Sequence, residues 1–131
     1  MSVEATVLDA SALLASVQDE PGAAEVEPLL ESARISAVNW SEVLQKSLAH
    51  GVAVDRVERR LRALGMVIED FTAADARAAA TLRSVTRTAG LSLADRACLA
   101  LAQRLDMIAV TADVAWASLA SAAGVRVSVI R

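Results

Sequence analysis

The side chains available for chemistry in this chain are its acids. It has 16 Asp and Glu residues but one histidine, His50, and one cysteine, Cys98. A single cysteine excludes an internal disulfide and a cysteine-based zinc site. A single histidine excludes a His-rich metal site and leaves Ser-His or Cys-His nucleophilic catalysis without support. Carboxylates can ligate hard cations, and an oxygen-only ligand set favours Mg²⁺ or Mn²⁺ over zinc or copper. An ion held this way can activate water and stabilise charge building on a phosphate. The question is which acids the fold gathers.

Short β-branched runs alternate with longer helical stretches. The strand candidates are 5–8, 34–38, 66–69, 107–111 and 125–130, and a helical segment follows each of the first four. That rhythm predicts an α/β fold with a central parallel sheet of about five strands and helices on both faces. Asn39-Trp40-Ser41-Glu42 reads as a cap with an acid three residues on, and Trp40, Val43, Leu44 and Leu48 follow as an apolar stripe. Val54, Val57, Leu61 and Leu64 form a second stripe that stops at Gly65. A helix over 72–89 ends at Gly90. Ser92 caps a mostly apolar helix over 93–105, which predicts burial. A last helix, 114–123, stops at Gly124. Pro21-Gly22 precedes a short helix ending near Ser32.

In a parallel sheet ligands bind beyond the carboxyl ends of the strands, where helix N-termini also lie. Asp9, directly after the first strand, meets that condition. So do Glu42, Asp95 and Asp113, near the starts of later helices. Asp106 falls at the opposite edge, whereas Glu69 and Asp70 also qualify. Each of the four has a plainer explanation. Asp9 and Asp113 fit as N-caps, and Glu42 and Asp95 as the acidic partners of capping boxes with Asn39 and Ser92. Convergence favours the metal site, because gathered carboxylates repel one another and a cation removes that penalty.

The residues carrying these acids resemble a known family. Val7-Leu8-Asp9-Ala10-Ser11-Ala12-Leu13-Leu14 resembles the opening strand and helix of PIN domains. Asn39-Trp40-Ser41-Glu42-Val43 resembles their second acidic motif. The run from Leu91 through Asp95 to Ala102 is very similar to the third, as found in the VapC toxins of VapBC toxin–antitoxin pairs. Val110-Thr111-Ala112-Asp113, with Ala115-Trp116, resembles the fourth. The resemblance implies one PIN domain over residues 1–131, a three-layer fold with sheet order 3-2-1-4-5, and an Mg²⁺- or Mn²⁺-dependent endoribonuclease. On that reading Asp9, Glu42, Asp95 and Asp113 are both catalytic and metal-binding, and Ser11 and Thr111 place hydroxyls near the ion or its waters. Strand three then lies two strands from strand one, about 10 Å away, so Glu69 and Asp70 belong to the rim. The implied partners are RNA, a VapB-like antitoxin and a second copy of the chain, with operator DNA reached only through the antitoxin. Three positions depart from the family pattern: Val114 stands where Arg is common, Ala94 where Gly is common, and Ser16-Val17 where an aromatic or large apolar residue is frequent. Val114 puts in doubt a basic contact to substrate or antitoxin.

Other residues are read beside this site. Arg96 either meets RNA or forms an ion pair on the helix surface. Arg56, Arg59, Arg60 and Arg62 either grip phosphates or form a solvated face with Asp55–Arg59 and Glu58–Arg62 pairs. Trp40 and Trp116 either stack on bases or pack in the core. Cys98 is expected to pack as a small apolar residue, and His50 to sit near a helix end, where a cation is mildly favourable. Leu13, Leu14, Leu29 and Leu30 are either core or a partly exposed antitoxin groove.

No run of 18 or more apolar residues predicts a membrane span. The opening Met1-Ser2-Val3-Glu4 lacks a signal peptide's basic and apolar regions, so a cytoplasmic location is expected. The formal net charge of −3 argues against a broad electrostatic nucleic-acid surface. Setting the four candidate acids aside leaves 12 acidic residues against 13 basic. A dehalogenase-like phosphatase would need an acid where Ser11 stands. A receiver domain would need an early acidic pair and a lysine at a late strand end, whereas the only lysine is Lys46. The remaining alternative is a PIN-like module that binds RNA or protein without cutting.

Overall fold

The computed structural model describes residues 4–130. Met1–Val3, part of the segment read for a leader, and Arg131 lie outside them. The strands are β1 (Thr6–Leu8), β2 (Ala33–Ser36), β3 (Val67–Glu69), β4 (Ile108–Thr111) and β5 (Val127–Val129). The α-helices are α1 (Ala10–Val17), α2 (Ala23–Val26), α3 (Ala37–Ala49), α4 (Val54–Leu64), α5 (Ala73–Thr86), α6 (Leu93–Leu105) and α7 (Ala120–Ala123). The sheet runs β3-β2-β1-β4-β5, with every pairing parallel. This is the expected five-stranded order, with β1 at its centre.

Parallel strands covered on both faces are apolar throughout, and alternation along each strand divides the core in two. Val7 and Ala109 point into one half, with Leu99, Leu101, Leu82 and Trp116. Leu8 and Val110 point into the other, with Leu13, Ile35, Val43 and Leu61. The apolar α6 is the sheet's main cover: Ala97 through Ala102 are all buried. Cys98 is among them and packs as expected; burial, with Asp9 and Asp95 nearby, pushes its thiol well above its ordinary range. No helix among the described residues is long and apolar enough to cross a membrane.

Element ends depart from expectation in three places. The second strand stops at Ser36, and it is Ser36, not Asn39, whose side chain caps α3 by accepting the Val38 N–H. Both residues are good caps, and the apolar run through Val38 hid which one acts. With α3 starting at Ala37, Glu42 lies in its second turn and forms no capping box with Asn39. The last helical stretch is also broken: Val114–Ser118 is a 3₁₀ turn, and regular helix resumes only at α7. A similar 3₁₀ turn over Arg87–Ala89 ends the segment expected as one helix to residue 89.

The α4 stripe ends at Gly65 as expected, with φ +117°. A Cβ there would overlap the Glu31 carbonyl oxygen, in the 3₁₀ turn Glu27–Ser32 that precedes β2. Gly65→Ala should therefore cost about 2 kcal/mol or more, since the backbone conformation and the neighbouring carbonyl both oppose a side chain. A urea titration showing an unchanged midpoint would contradict this.

Candidate active site

Asp9 sits where the central strand turns into α1. Its backbone N–H still donates to the Val110 carbonyl, so the β1–β4 ladder extends to this residue. The side chain is 4% exposed. One oxygen, Oδ1, accepts the Ala10 N–H at 2.8 Å; the other, Oδ2, accepts the hydroxyls of Ser11 at 2.7 Å and Thr111 at 2.9 Å. No Arg or Lys pairs with it among the described residues. Burial therefore dominates and holds its carboxyl up at about 6, against an ordinary 3.8. The Ser11, Thr111 and Ala10 hydrogen bonds pull the other way, and the charge of Asp95 adds to the rise.

The two hydroxyls tie β1 to β4. Ser11 also accepts the Ala112 N–H at 3.0 Å, and Thr111 accepts the Asp113 N–H at 3.1 Å. Thr111 thus joins the Asp9 carboxylate to the backbone that carries Asp113. Asp113 itself is exposed and caps the following turn through the Ala115 N–H at 2.9 Å. Asp95 forms a reciprocal capping box with Ser92, at 3.0 and 3.1 Å. The plainer capping roles of Asp9, Asp95 and Asp113 are therefore real. They use part of each carboxylate and fix it at the C-terminal edge of the sheet. Glu42 is half-buried, and its side chain makes no hydrogen bond or ion pair among the described residues. No three His, Cys, Asp or Glu side chains among those residues lie close enough together to enclose an ion.

Asn39, expected as a cap, is a fully buried part of this site. Its amide donates to the Ala94 carbonyl at 2.9 Å and, more weakly, to Asp9 Oδ1 at 3.5 Å. It therefore links α3, the Asp9 carboxylate and the residue before Asp95. A polar residue on the inner face of α3, within a turn of Glu42, was the signal for this role. Its Oδ1 is buried without a partner. Asn39→Ala should lower the affinity for Mn²⁺ about 10-fold, the usual scale for losing a residue that orients a ligand. A metal titration giving the parent affinity would remove Asn39 from the site.

The remaining expectations separate cleanly. Arg96 donates to the Ala79 carbonyl of α5 at 2.8 Å and forms no ion pair among the described residues. Glu69, at the rim as expected, is paired with Arg34. Glu58–Arg62 forms at 3.4 Å, whereas Asp55–Arg59 does not. Trp40 and Trp116 are both core residues; the Trp40 indole donates to Glu58 at 3.2 Å, and the Trp116 indole N–H has no partner. His50 caps the end of α3. Leu13, Leu14 and Leu30 are buried, and Leu29 is half-buried.

The fold aligns with solved structures along nearly its whole length. A toxin–antitoxin complex from Klebsiella pneumoniae matches with TM-score 0.78 and 19% identity, over 97% of this chain and 98% of that one. FitAcB from Neisseria gonorrhoeae matches with TM-score 0.67 and 22% identity, over 95% and 97%. DNA-bound VapBC from Salmonella typhimurium matches with TM-score 0.68 and 16% identity, over 98% and 100%. No curated protein matches the chain at a significant level of sequence similarity. The PIN-domain family model matches residues 6–122, a span that holds all four motif-bearing segments, from the one around Asp9 through Trp116. With Asp9 at the end of the central strand and Asp95 and Asp113 on the same sheet edge, the chain is a member of the PIN-domain family.

Proposed function

We propose that this chain is a single PIN domain that hydrolyses RNA phosphodiester bonds with Mg²⁺ or Mn²⁺, as the toxin of a toxin–antitoxin pair. The observation that carries this reading is the buried Asp9 carboxylate, which has no cationic partner among the described residues and feels the charge of Asp95. A protein that buries such a charge unpaired carries a cost, and a divalent cation offsets it. The donors fit a hard ion: they are carboxylate and hydroxyl oxygens with no sulfur or imidazole. Mg²⁺ commonly keeps several waters and binds through one or two carboxylates. Asp9 and Asp95 suffice for such a mode without a closed cluster of three acids.

In this reading Asp9, Asp95 and Asp113 hold the ion, directly or through water, and Glu42 is the free acid that orients water. Ser11 and Thr111 fix the Asp9 carboxylate and stay within reach of ion-bound waters. When bound, the ion supplies charge stabilisation at the phosphate and lowers the pKa of water. The chain contributes position: strand ends and helix starts set the carboxylates before substrate arrives, which limits reorganisation during the reaction.

The toxin role is supported by a neighbour described as a toxin–antitoxin complex and by another described as DNA-bound VapBC. A VapB-like antitoxin, a homodimer, contact with operator DNA only through the antitoxin, and a cytoplasmic site of action belong to the same proposal. Brief induction in cells followed by mapping of new RNA 5′ ends tests it. The parent should produce discrete new ends that disappear in Asp95→Asn. Identical end profiles for parent and variant would overturn the nuclease reading and favour a PIN-like binding module.

A further inference from the structure

Charge is distributed unevenly over the molecule. From Ala76 to Ala94 there is no acidic residue, and Arg77, Arg83 and Arg87 give this stretch +3. The rest of the chain then carries −6 against the overall −3. All three arginines are exposed, and none of their side chains has a hydrogen bond or ion pair among the described residues. Five other arginines are engaged, Arg34, Arg62, Arg104 and Arg126 with carboxylates and Arg96 with a backbone carbonyl.

The stretch also leads to the acids. α5 and α6 follow one another with no strand between them, joined by Gly90, Leu91 and Ser92. They pack against each other from Arg104–Asp75 at one end to Arg96–Ala79 nearer the other. The end of α5 and the 3₁₀ turn Arg87–Ala89 therefore lie beside the first turn of α6, which carries Asp95. Arg83 and Arg87 are about 6 Å apart along the helix axis and on nearly the same side of it, whereas Arg77 lies about 9 Å before Arg83 and about 120° round the helix. The exposed arginines of α4 differ: Arg56, Arg59 and Arg60 are interleaved with Asp55 and Glu58, and Arg60 borders a depression shared with Glu27 and Glu31.

We propose that Arg77, Arg83 and Arg87 form the track that receives the phosphate backbone of single-stranded RNA and leads it to the Asp9–Asp95 edge. This rests on the RNA-cleaving reading above. Guanidinium groups suit phosphate oxygens, which accept paired N–H donors. A polyanion is the partner whose charge matches an uninterrupted run of one sign on a protein that is otherwise acidic. Positive charge at the end of a helix also favours the helix itself, but that benefit would appear in thermal stability and not in the salt dependence of binding.

The test uses the purified full chain in EDTA and a labelled mixed-sequence RNA of about 12 nucleotides. Anisotropy is followed from about 50 to about 200 mM salt. Each phosphate contact on a single strand contributes a slope of about −0.7 in log K against log salt. The triple variant Arg77→Gln, Arg83→Gln, Arg87→Gln should lose at least about 10-fold in affinity and flatten the slope by about 2. The control triple Arg56→Gln, Arg59→Gln, Arg60→Gln should match the parent. A parental slope in the α5 variant, or a loss confined to the α4 variant, overturns the track; if the parent still cuts RNA in Mn²⁺, the nuclease reading stands. Unchanged RNA binding with weakened antitoxin binding assigns the surface to protein instead. A parent that neither binds nor cuts RNA overturns both.

Discussion

Asp9→Asn should reduce metal-dependent RNA cleavage by about 100-fold or more, a barrier increase of about 3 kcal/mol, and yet relieve the metal-free fold of a burden. Both effects come from one carboxylate. Asp9 is buried and held up at about 6, against an ordinary 3.8. Its folded form therefore binds a proton more tightly than its unfolded form. The corresponding stability is fully present below about pH 4 and is lost as pH rises through about 6. At pH 8, without metal, the ionised Asp9 costs the fold about 3 kcal/mol relative to its protonated state. Asparagine carries no charge, so that pH-dependent loss should disappear. It also fits the local bonding: its oxygen can accept the Ala10 N–H, and the Ser11 and Thr111 hydroxyls can rotate to accept from its amide. In EDTA, the stability of Asp9→Asn minus that of the parent should rise between pH 4 and pH 8. Guanidinium titrations at several pH values read this difference directly. A flat difference would mean that Asp9 is not strained by ionisation in the metal-free fold.

Trp116→Ala should destabilise the protein by about 3–5 kcal/mol, a large share of the stability of a domain this size. Trp116 is fully buried among Val7, Leu99, Leu119 and their neighbours. It is held by the 3₁₀ turn directly after Asp113, with its own N–H bonded to the Asp113 carbonyl at 3.2 Å. Truncation leaves a void at the point where the last acidic segment packs onto the sheet. Trp116→Phe should be much milder, because it keeps most of the ring and removes an indole N–H that has no partner. Denaturant midpoints at constant m-value give both figures. If Trp116→Ala keeps the parental midpoint but loses RNA affinity, Trp116 would be a base-stacking residue and not a core residue.

The alternation of strands and helices and the helix over Leu93–Leu105 were legible in the residues because several signals agreed there, whereas the sheet order followed only from the resemblance to PIN domains. The strands are short apolar runs, Ser92 is followed three residues later by Asp95, and the helix between is apolar almost all round. The start of α3 was not, because Ser36 and Asn39 can both cap, and only the packing against Asp9 and Ala94 makes Asn39 an interior residue. The placement of Asp9, Asp95 and Asp113 at one edge followed from strand and helix polarity alone. How their carboxylates are spent did not follow: capping bonds of about 3 Å with Ser92 and Ala115 depend on local turn geometry. Arg96 shows the same limit. Its neighbour in sequence is an active-edge acid, yet its partner is a carbonyl 17 residues away on α5. The acid-free stretch that holds Arg77, Arg83 and Arg87 is present in the sequence, but its place beside the first turn of α6 depends on how α5 packs against α6.

The most direct measurement is the initial rate of RNA cleavage by the purified chain as Mn²⁺ is added to metal-stripped protein, alongside Asp9→Asn and Asp95→Asn. The parent should go from no cleavage in EDTA to a saturating rate with metal, and both variants should stay at least about 100-fold slower at every concentration. Cleavage by the parent in EDTA, or parental rates in either variant, would contradict a metal-dependent nuclease built on these carboxylates.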